Sequence, residues 1–228
     1  MALQIGFLVF PRVQQLDLTG PHEVFASLPD ATVHLIWKTL EPVVSSNGLV
    51  LTPNMTYGDC PPLDVICIPG GSGVTPLLED RDTIEFVRKQ AESARYVTSV
   101  CTGSLLLGAA GLLHGRRATT HWVSHGFLEP LGAIPVHGRV VQDGNLITGG
   151  GVTAGIDFAL SVAAELAGQQ EAQAIQLELE YAPAPPFDAG SPQTAPRSVV
   201  DLVKQQSAQE FAKRERIVSR IATTRAGQ

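Results

Sequence analysis

The sequence predicts an α/β protein. It has a mostly parallel sheet covered by helices on both faces, with a cysteine placed on a sharp strand-to-helix bend. Three observations carry this. Short β-branched runs alternate with helix-forming stretches along the chain. The runs are nearly continuous in apolar residues instead of alternating, as in strands buried on both sides. Residues 96–104 read Tyr-Val-Thr-Ser-Val-Cys-Thr-Gly-Ser, an apolar strand that stops at Cys101 before an aliphatic helix.

In chain order, strands are expected at residues 5–10, 32–37, 63–68, 96–100, 138–142 and 145–148. Helices are expected at 82–94, bounded by Asp82, at 101–110, and at 151–167 after three glycines. Asp143-Gly144 between two strand-like runs is a hairpin signal, so one strand should run antiparallel to its neighbour. Pro183, Pro185, Pro186, Pro192 and Pro196 make 182–196 an extended connector that cannot be helical. Helical patterning resumes over 198–222, with Val199, Leu202, Phe211, Val218 and Ile221 as apolar points. The expected division is an α/β domain over 1–182. A proline-rich connector and C-terminal helix follow over 183–228, packed on that domain or on a dimer partner.

A chain of 228 residues that is 44% hydrophobic can bury a sizeable core as one domain. A net charge of −6 and a pI near 5.5 leave no electrostatic footprint for nucleic acid. Lys213, Arg214 and Arg216 are interspersed with Glu210 and Glu215, which reads as a solvated helix face. No apolar run reaches membrane-span length and no basic-then-apolar leader opens the chain, so a cytoplasmic protein is expected. The three cysteines lack CxxC spacing, which argues against a disulfide framework or a structural zinc site. Cys67 reads as a core residue and Cys60 as a loop thiol.

In a parallel sheet, ligands bind beyond the carboxyl ends of the strands. Four segments fall there: Asp17, Gly70-Gly71, Cys101 and Gly149–Gly151. The small-x-Cys-x-Gly pattern around Cys101 is the cysteine counterpart of the Gly-x-Ser-x-Gly nucleophile elbow. A thiol at a helix start faces unpaired N–H groups, which favours its thiolate. The alternative is a buried structural cysteine, but the strand–bend–helix context is the one a nucleophile requires.

Asp17 is flanked by leucines. A carboxyl against apolar walls has its pKa raised and can carry a proton at neutral pH. Equally, Asp17 can serve as a helix N-cap, with Gly20-Pro21 opening the helix. Pro69-Gly70-Gly71-Ser72-Gly73 supplies backbone N–H groups for an anion-stabilising pocket, or simply a tight turn. It is neither a phosphate loop nor a dinucleotide fingerprint. His121, His125 and Glu129 are spaced by four, as metal ligands on one helix would be. Thr119-Thr120-His121-Trp122 reads instead as a strand end entering a helix, which removes His121 from that register. No metal is expected, and His121 can approach the cysteine from a neighbouring loop.

Five segments together resemble the ThiJ/PfpI superfamily, the cysteine-elbow proteins that include the parkinsonism-associated deglycase. They are Asp17-Leu18-Thr19-Gly20-Pro21, Ile68-Pro69-Gly70-Gly71, Ser99-Val100-Cys101-Thr102-Gly103-Ser104, Ala118-Thr119-Thr120-His121-Trp122 and Thr148-Gly149-Gly150-Gly151-Val152-Thr153-Ala154-Gly155. Many members carry His directly after the cysteine and Glu at the acidic position. Thr102 and Asp17 stand there instead, which argues against protease, glyoxalase and deglycase activities. These departures, with Leu179–Phe187 and Ala189-Gly190-Ser191-Pro192, resemble the isocyanide hydratase family. That resemblance implies a flavodoxin-like three-layer fold, a homodimer, no cofactor, and hydration of an organic isocyanide to an N-substituted formamide. Cys101 would then be the nucleophile, Asp17 the proton carrier, and Thr102 a water-orienting hydroxyl. Gly70, Gly71 and His121 would contribute to substrate binding or an oxyanion pocket. The rival expectation is a ligand- or redox-sensing module, because the Asp-Leu-x-Gly-Pro and Thr-Thr-His-Trp segments also resemble the sensor domain of AraC-type regulators.

Overall fold

The protein is described here over residues 2–226, as a computed structural model. Seven strands build the central sheet: β1 (Leu3–Leu8), β2 (Ala31–Trp37), β3 (Met55–Thr56), β4 (Val65–Ile68), β5 (Tyr96–Val100), β6 (Val140–Asp143) and β7 (Leu146–Gly149). They lie in the order β6-β7-β5-β4-β1-β2-β3. Every neighbouring pair is parallel except β6 with β7. That exception is the hairpin read at Asp143-Gly144: Gly144 takes φ 58° and Asp143 lies opposite Leu146.

Strand pleating divides the apolar side chains between two layers. Ile5, Phe7, Val65 and Cys67 face α1 (Gln15–Ala26) and α4 (Ala154–Ala167), meeting Leu18, Phe25, Phe158 and Val162. Phe25 and Phe158 meet edge to face at 6.0 Å. Leu8, Ile66, Ile68 and Val97 face α2 (Arg81–Ser93) and α3 (Gly103–Ala109), meeting Phe86, Val87, Leu105 and Leu106. Each fully buried side chain of this size contributes about 1.5–3 kcal/mol. Cys67 is a core residue, as expected. The result is the flavodoxin-like three-layer arrangement.

The sequence misplaces several helix boundaries. α1 starts at Gln15, with Gln14 in the cap position, and runs through Gly20 and Pro21. Asp17 is therefore not a cap but a first-turn residue. An internal proline normally breaks a helix. Here its ring packs on α4, where a Cβ at Gly155 would lie 3.1 Å from Pro21 Cδ. Close helix–helix packing outweighs the missing hydrogen bond. α2 is capped by Asp80, not bounded by Asp82: Asp80 Oδ1 accepts from the Thr83 N–H at 3.0 Å. A further helix, α5 (Gln169–Glu178), follows Gly168 at φ 92°.

Residues 182–196 contain neither helix nor strand, as their prolines require. Beyond them α6 (Arg197–Ala226) folds back over its own chain. Phe211 packs on Phe127 with ring centroids 4.7 Å apart, and Val218 is buried. Glu210 accepts from the Thr75 hydroxyl at 2.6 Å, and Arg220 makes two hydrogen bonds to Glu79 at 2.9 and 2.8 Å.

Candidate active site

Cys101 joins β5 to α3 with φ 54°, a left-handed conformation that costs a non-glycine residue about 1–2 kcal/mol. The bend is pinned from three sides. The Cys101 N–H donates to the Gly150 carbonyl at 2.8 Å and the Gly149 carbonyl at 3.1 Å, and the Cys101 carbonyl accepts from the Thr120 hydroxyl at 2.8 Å. Gly103 lets α3 start against the end of β4, because a Cβ there would lie 2.0 Å from the Ile68 carbonyl oxygen.

Asp17 is brought to the cysteine from the first turn of α1 and is fully buried. The Gly70 N–H donates to its Oδ2 at 2.8 Å. Its Oδ1 has no N–H or O–H partner, and the Cys101 thiol is the neighbouring group that acts on this carboxyl. Burial raises the Asp17 pKa to about 7, partly opposed by the Gly70 and Cys101 hydrogen bonds. The Cys101 thiol is pushed well above its ordinary range, first by burial and then by the Asp17 charge. The Thr102 N–H and the Arg214 charge pull the other way. The expectation of a thiolate favoured by the helix start therefore fails, since desolvation exceeds what one amide supplies. Acid and thiol instead compete for a proton within one buried pair.

The glycine loop holds this pair in place. The Gly71 N–H donates to Thr102 Oγ1 at 3.0 Å, and that hydroxyl returns a 3.3 Å hydrogen bond to the Gly71 carbonyl. Both loop amides are thus committed to the site's own side chains, Gly70 to Asp17 and Gly71 to Thr102. A Cβ on Gly70 would lie 2.6 Å from the Thr102 nitrogen and 2.7 Å from Asp17 Oδ2, so only glycine permits the approach. All four segments read as strand-end features meet here: Asp17 touches Gly70, and Cys101 hangs from Gly149 and Gly150.

A cavity of about 680 Å³ opens over Cys101 and Thr102, with His121 on its wall. Burial and the Arg214 charge push the His121 imidazole below its usual range. His121 precedes a 3₁₀ turn, Trp122–Phe127, whose three-residue period separates it from His125. His125 stacks on His137 at 3.8 Å instead, and Glu129 belongs to a second 3₁₀ turn. Among the described residues no three His, Cys, Asp or Glu side chains form a metal cluster.

The reading of Arg214 as part of a solvated face is overturned. Lys213 and Arg216 are exposed, but Arg214 is only 5% exposed and lines the cavity from α6. Its Nη1 donates to Ser124 Oγ at 3.0 Å. The signal was present: Phe211, Arg214, Val218 and Ile221 share one helical face, so the arginine interrupts an apolar stripe.

Comparison with known proteins agrees with this geometry. The DJ-1/PfpI family model matches residues 4–165. Isonitrile hydratase of Pseudomonas putida is 66% identical over 222 residues, covering 97% of both chains. The HTH-type transcriptional regulator GbdR of Pseudomonas aeruginosa is 31% identical over 75% of this chain but only 48% of its own length. The crystal structure of a ThiJ/PfpI family protein from Pseudomonas syringae superposes with a TM-score of 0.92 at 45% identity, covering 97% of this chain and 91% of that one. With most of its length matched by the family model, and its cysteine bend, acid and glycine loop assembled at one sheet edge, the chain belongs to the DJ-1/PfpI family.

Proposed function

We propose that this protein hydrates organic isocyanides (isonitriles) to N-substituted formamides, with Cys101 as nucleophile and Asp17 as proton carrier. The observation that carries the reading is the buried Asp17–Cys101 pair, with a carboxyl whose pKa is raised to about 7. The 66% identity with isonitrile hydratase over nearly the full length of both chains supports the same substrate class.

The terminal carbon of an isocyanide accepts both a nucleophile and a proton, and the pair delivers both. The thiol proton passes to Asp17, the thiolate sulfur bonds to the isocyano carbon, and Asp17 returns the proton to that carbon. The product is a thioimidate, R–N=CH–S–Cys101. Water then adds to the thioimidate carbon. Asp17 takes one proton from the water and passes it to the nitrogen, and the new hydroxyl keeps the other. The C–S bond breaks as the formamide carbonyl forms, and the hydroxyl proton passes through Asp17 to the departing thiolate. Thr102, fixed by Gly71, presents its hydroxyl beside this carbon as a water-orienting group. Gly70 and Gly71 position the acid and the hydroxyl, and His121 borders the substrate. Cys101, Asp17 and water supply every electron pair and proton, so the reading calls for no cofactor.

The same reading makes the protein a cytoplasmic homodimer, with residues 1–182 as the chemical domain and 183–228 as arm and helix. Among the described residues no helix is long and apolar enough to cross a membrane. Exposed Leu177 and Phe187 beside the arm, 77% and 78% accessible, support a partner surface there. The decisive assay incubates purified protein with a simple alkyl isocyanide and follows formamide absorbance. Turnover that disappears in Cys101→Ala supports the reading, and turnover retained in that variant rejects it.

A further inference from the structure

We infer that Arg214 is a carboxylate-binding residue of the cavity, and that the enzyme's substrates include isocyanides bearing a carboxylate near the isocyano group. This rests on the hydratase reading and narrows it.

A guanidinium is costly to bury unless it is paired. Arg214 is buried to 5% exposure, and its own chain gives it one hydrogen bond and one long ion pair. Nη1 donates to Ser124 Oγ at 3.0 Å, and Nε has no partner among the described residues. Nη2 lies 4.0 Å from Glu210 Oε1, beyond hydrogen-bond distance. Glu210 is drawn elsewhere: Oε1 accepts from the Thr75 hydroxyl at 2.6 Å, and Oε2 lies 3.9 Å from Lys213 Nζ. The adjacent carboxylate is therefore a long ion-pair partner, opposing the arginine's charge without hydrogen-bonding its fork.

Arginine presents a planar fork that matches a carboxylate in two parallel hydrogen bonds. Ser124 fixes one arm of the fork, and Nη2 carries only the long ion pair to Glu210. Arg214 and Cys101 line the same cavity, and the arginine's charge is felt at the thiol. One small molecule can place its isocyano carbon at Cys101 and its carboxylate at Arg214. The cavity is large enough for such a molecule, at about 680 Å³.

The test compares isocyanoacetate with its methyl ester, which differ mainly in charge, on the same full-length preparation. The readout is the ratio of kcat/KM for acid over ester, which is insensitive to the folded fraction. Arg214→Met is expected to lower this ratio about 10- to 100-fold, the worth of a charged hydrogen-bonded contact. Arg214→Lys should restore part of it, and Glu210→Gln should raise it by removing an opposing charge. Three outcomes overturn the assignment. The first is an unchanged ratio in Arg214→Met, as expected if the arginine merely stabilises the thiolate. The second is wild-type protein that hydrates the ester and not the acid. The third is formamide from a simple alkyl isocyanide but from neither of these two, whereas no formamide from any of the three removes the hydratase reading itself.

Discussion

The Gly70 N–H donates to Asp17 Oδ2 at 2.8 Å, so the acid of one element is held by the loop after a neighbouring strand. The other carboxylate oxygen carries no N–H or O–H partner. One oxygen fixes the group in space and the other is left for chemistry. The donor is main chain and has no rotamer to change, so the carboxyl keeps a fixed anchor.

Replacing Asp17 by Asn removes proton transfer while retaining the shape. Isocyanide turnover should fall about 10²- to 10⁴-fold, the range for losing a positioned acid–base group. Stopped-time formamide measurements give the rate, and mass spectrometry should show no adduct accumulating on Cys101, because the thioimidate forms only with the Asp17 proton. Less than a tenfold loss in Asp17→Asn would remove the carboxyl from the proton path.

The pH profile follows from the pair. Below about 7 both Asp17 and Cys101 hold protons, and above it the pair holds one. The thiolate–acid tautomer that reacts belongs to the one-proton state. kcat/KM should therefore rise as pH increases through about 7 and level off until the strongly raised thiol titrates. A rate that is flat from pH 5 to 9 contradicts this assignment.

Gly103→Ala would push a Cβ to 2.0 Å from the Ile68 carbonyl oxygen, which is backbone and cannot swing away. The helix start must shift, costing about 1–3 kcal/mol of stability. A lowered urea midpoint checks this, and the bend at Cys101 should lose activity in parallel. An unchanged midpoint would show that α3 has room the geometry denies it.

Phe187 is 78% exposed on the proline-rich arm. Phe187→Glu should weaken self-association at least about tenfold if the arm meets a second copy, since buried aromatic anchors dominate interfaces. Sedimentation at several concentrations reads this directly. Identical sedimentation of variant and wild type would place the partner surface elsewhere.

The cysteine bend was legible because its cause is local: a β-branched run, small residues and an aliphatic helix are contiguous around Cys101. Six strands of the sheet were legible for the same reason, down to the hairpin at Gly144, but the two-residue edge strand β3 was not. α1 was not, because Pro21 carries a helix-breaking signal that only packing against Gly155 reverses. The two readings of Asp17 were separable only by its long-range partner, Gly70. The roles of Gly70 and Gly71 were likewise hidden, since a glycine cluster does not reveal which side chains will take its amides. Arg214 was missed because its neighbours in sequence, Lys213 and Arg216, are solvated, while its neighbours in space come from residues near Cys101 and Ser124. A charge inside an apolar helical stripe was the available clue.

Because α6 supplies one wall of the cavity, the reaction chamber spans the chain from Gln14 to Arg214. During synthesis the chemical groups emerge early, but their enclosure waits for nearly the last turns of helix. A nascent or clipped chain ending near residue 182 would own its thiol and acid without a vessel around them. Docking of α6 thus becomes the step at which Cys101 is walled in.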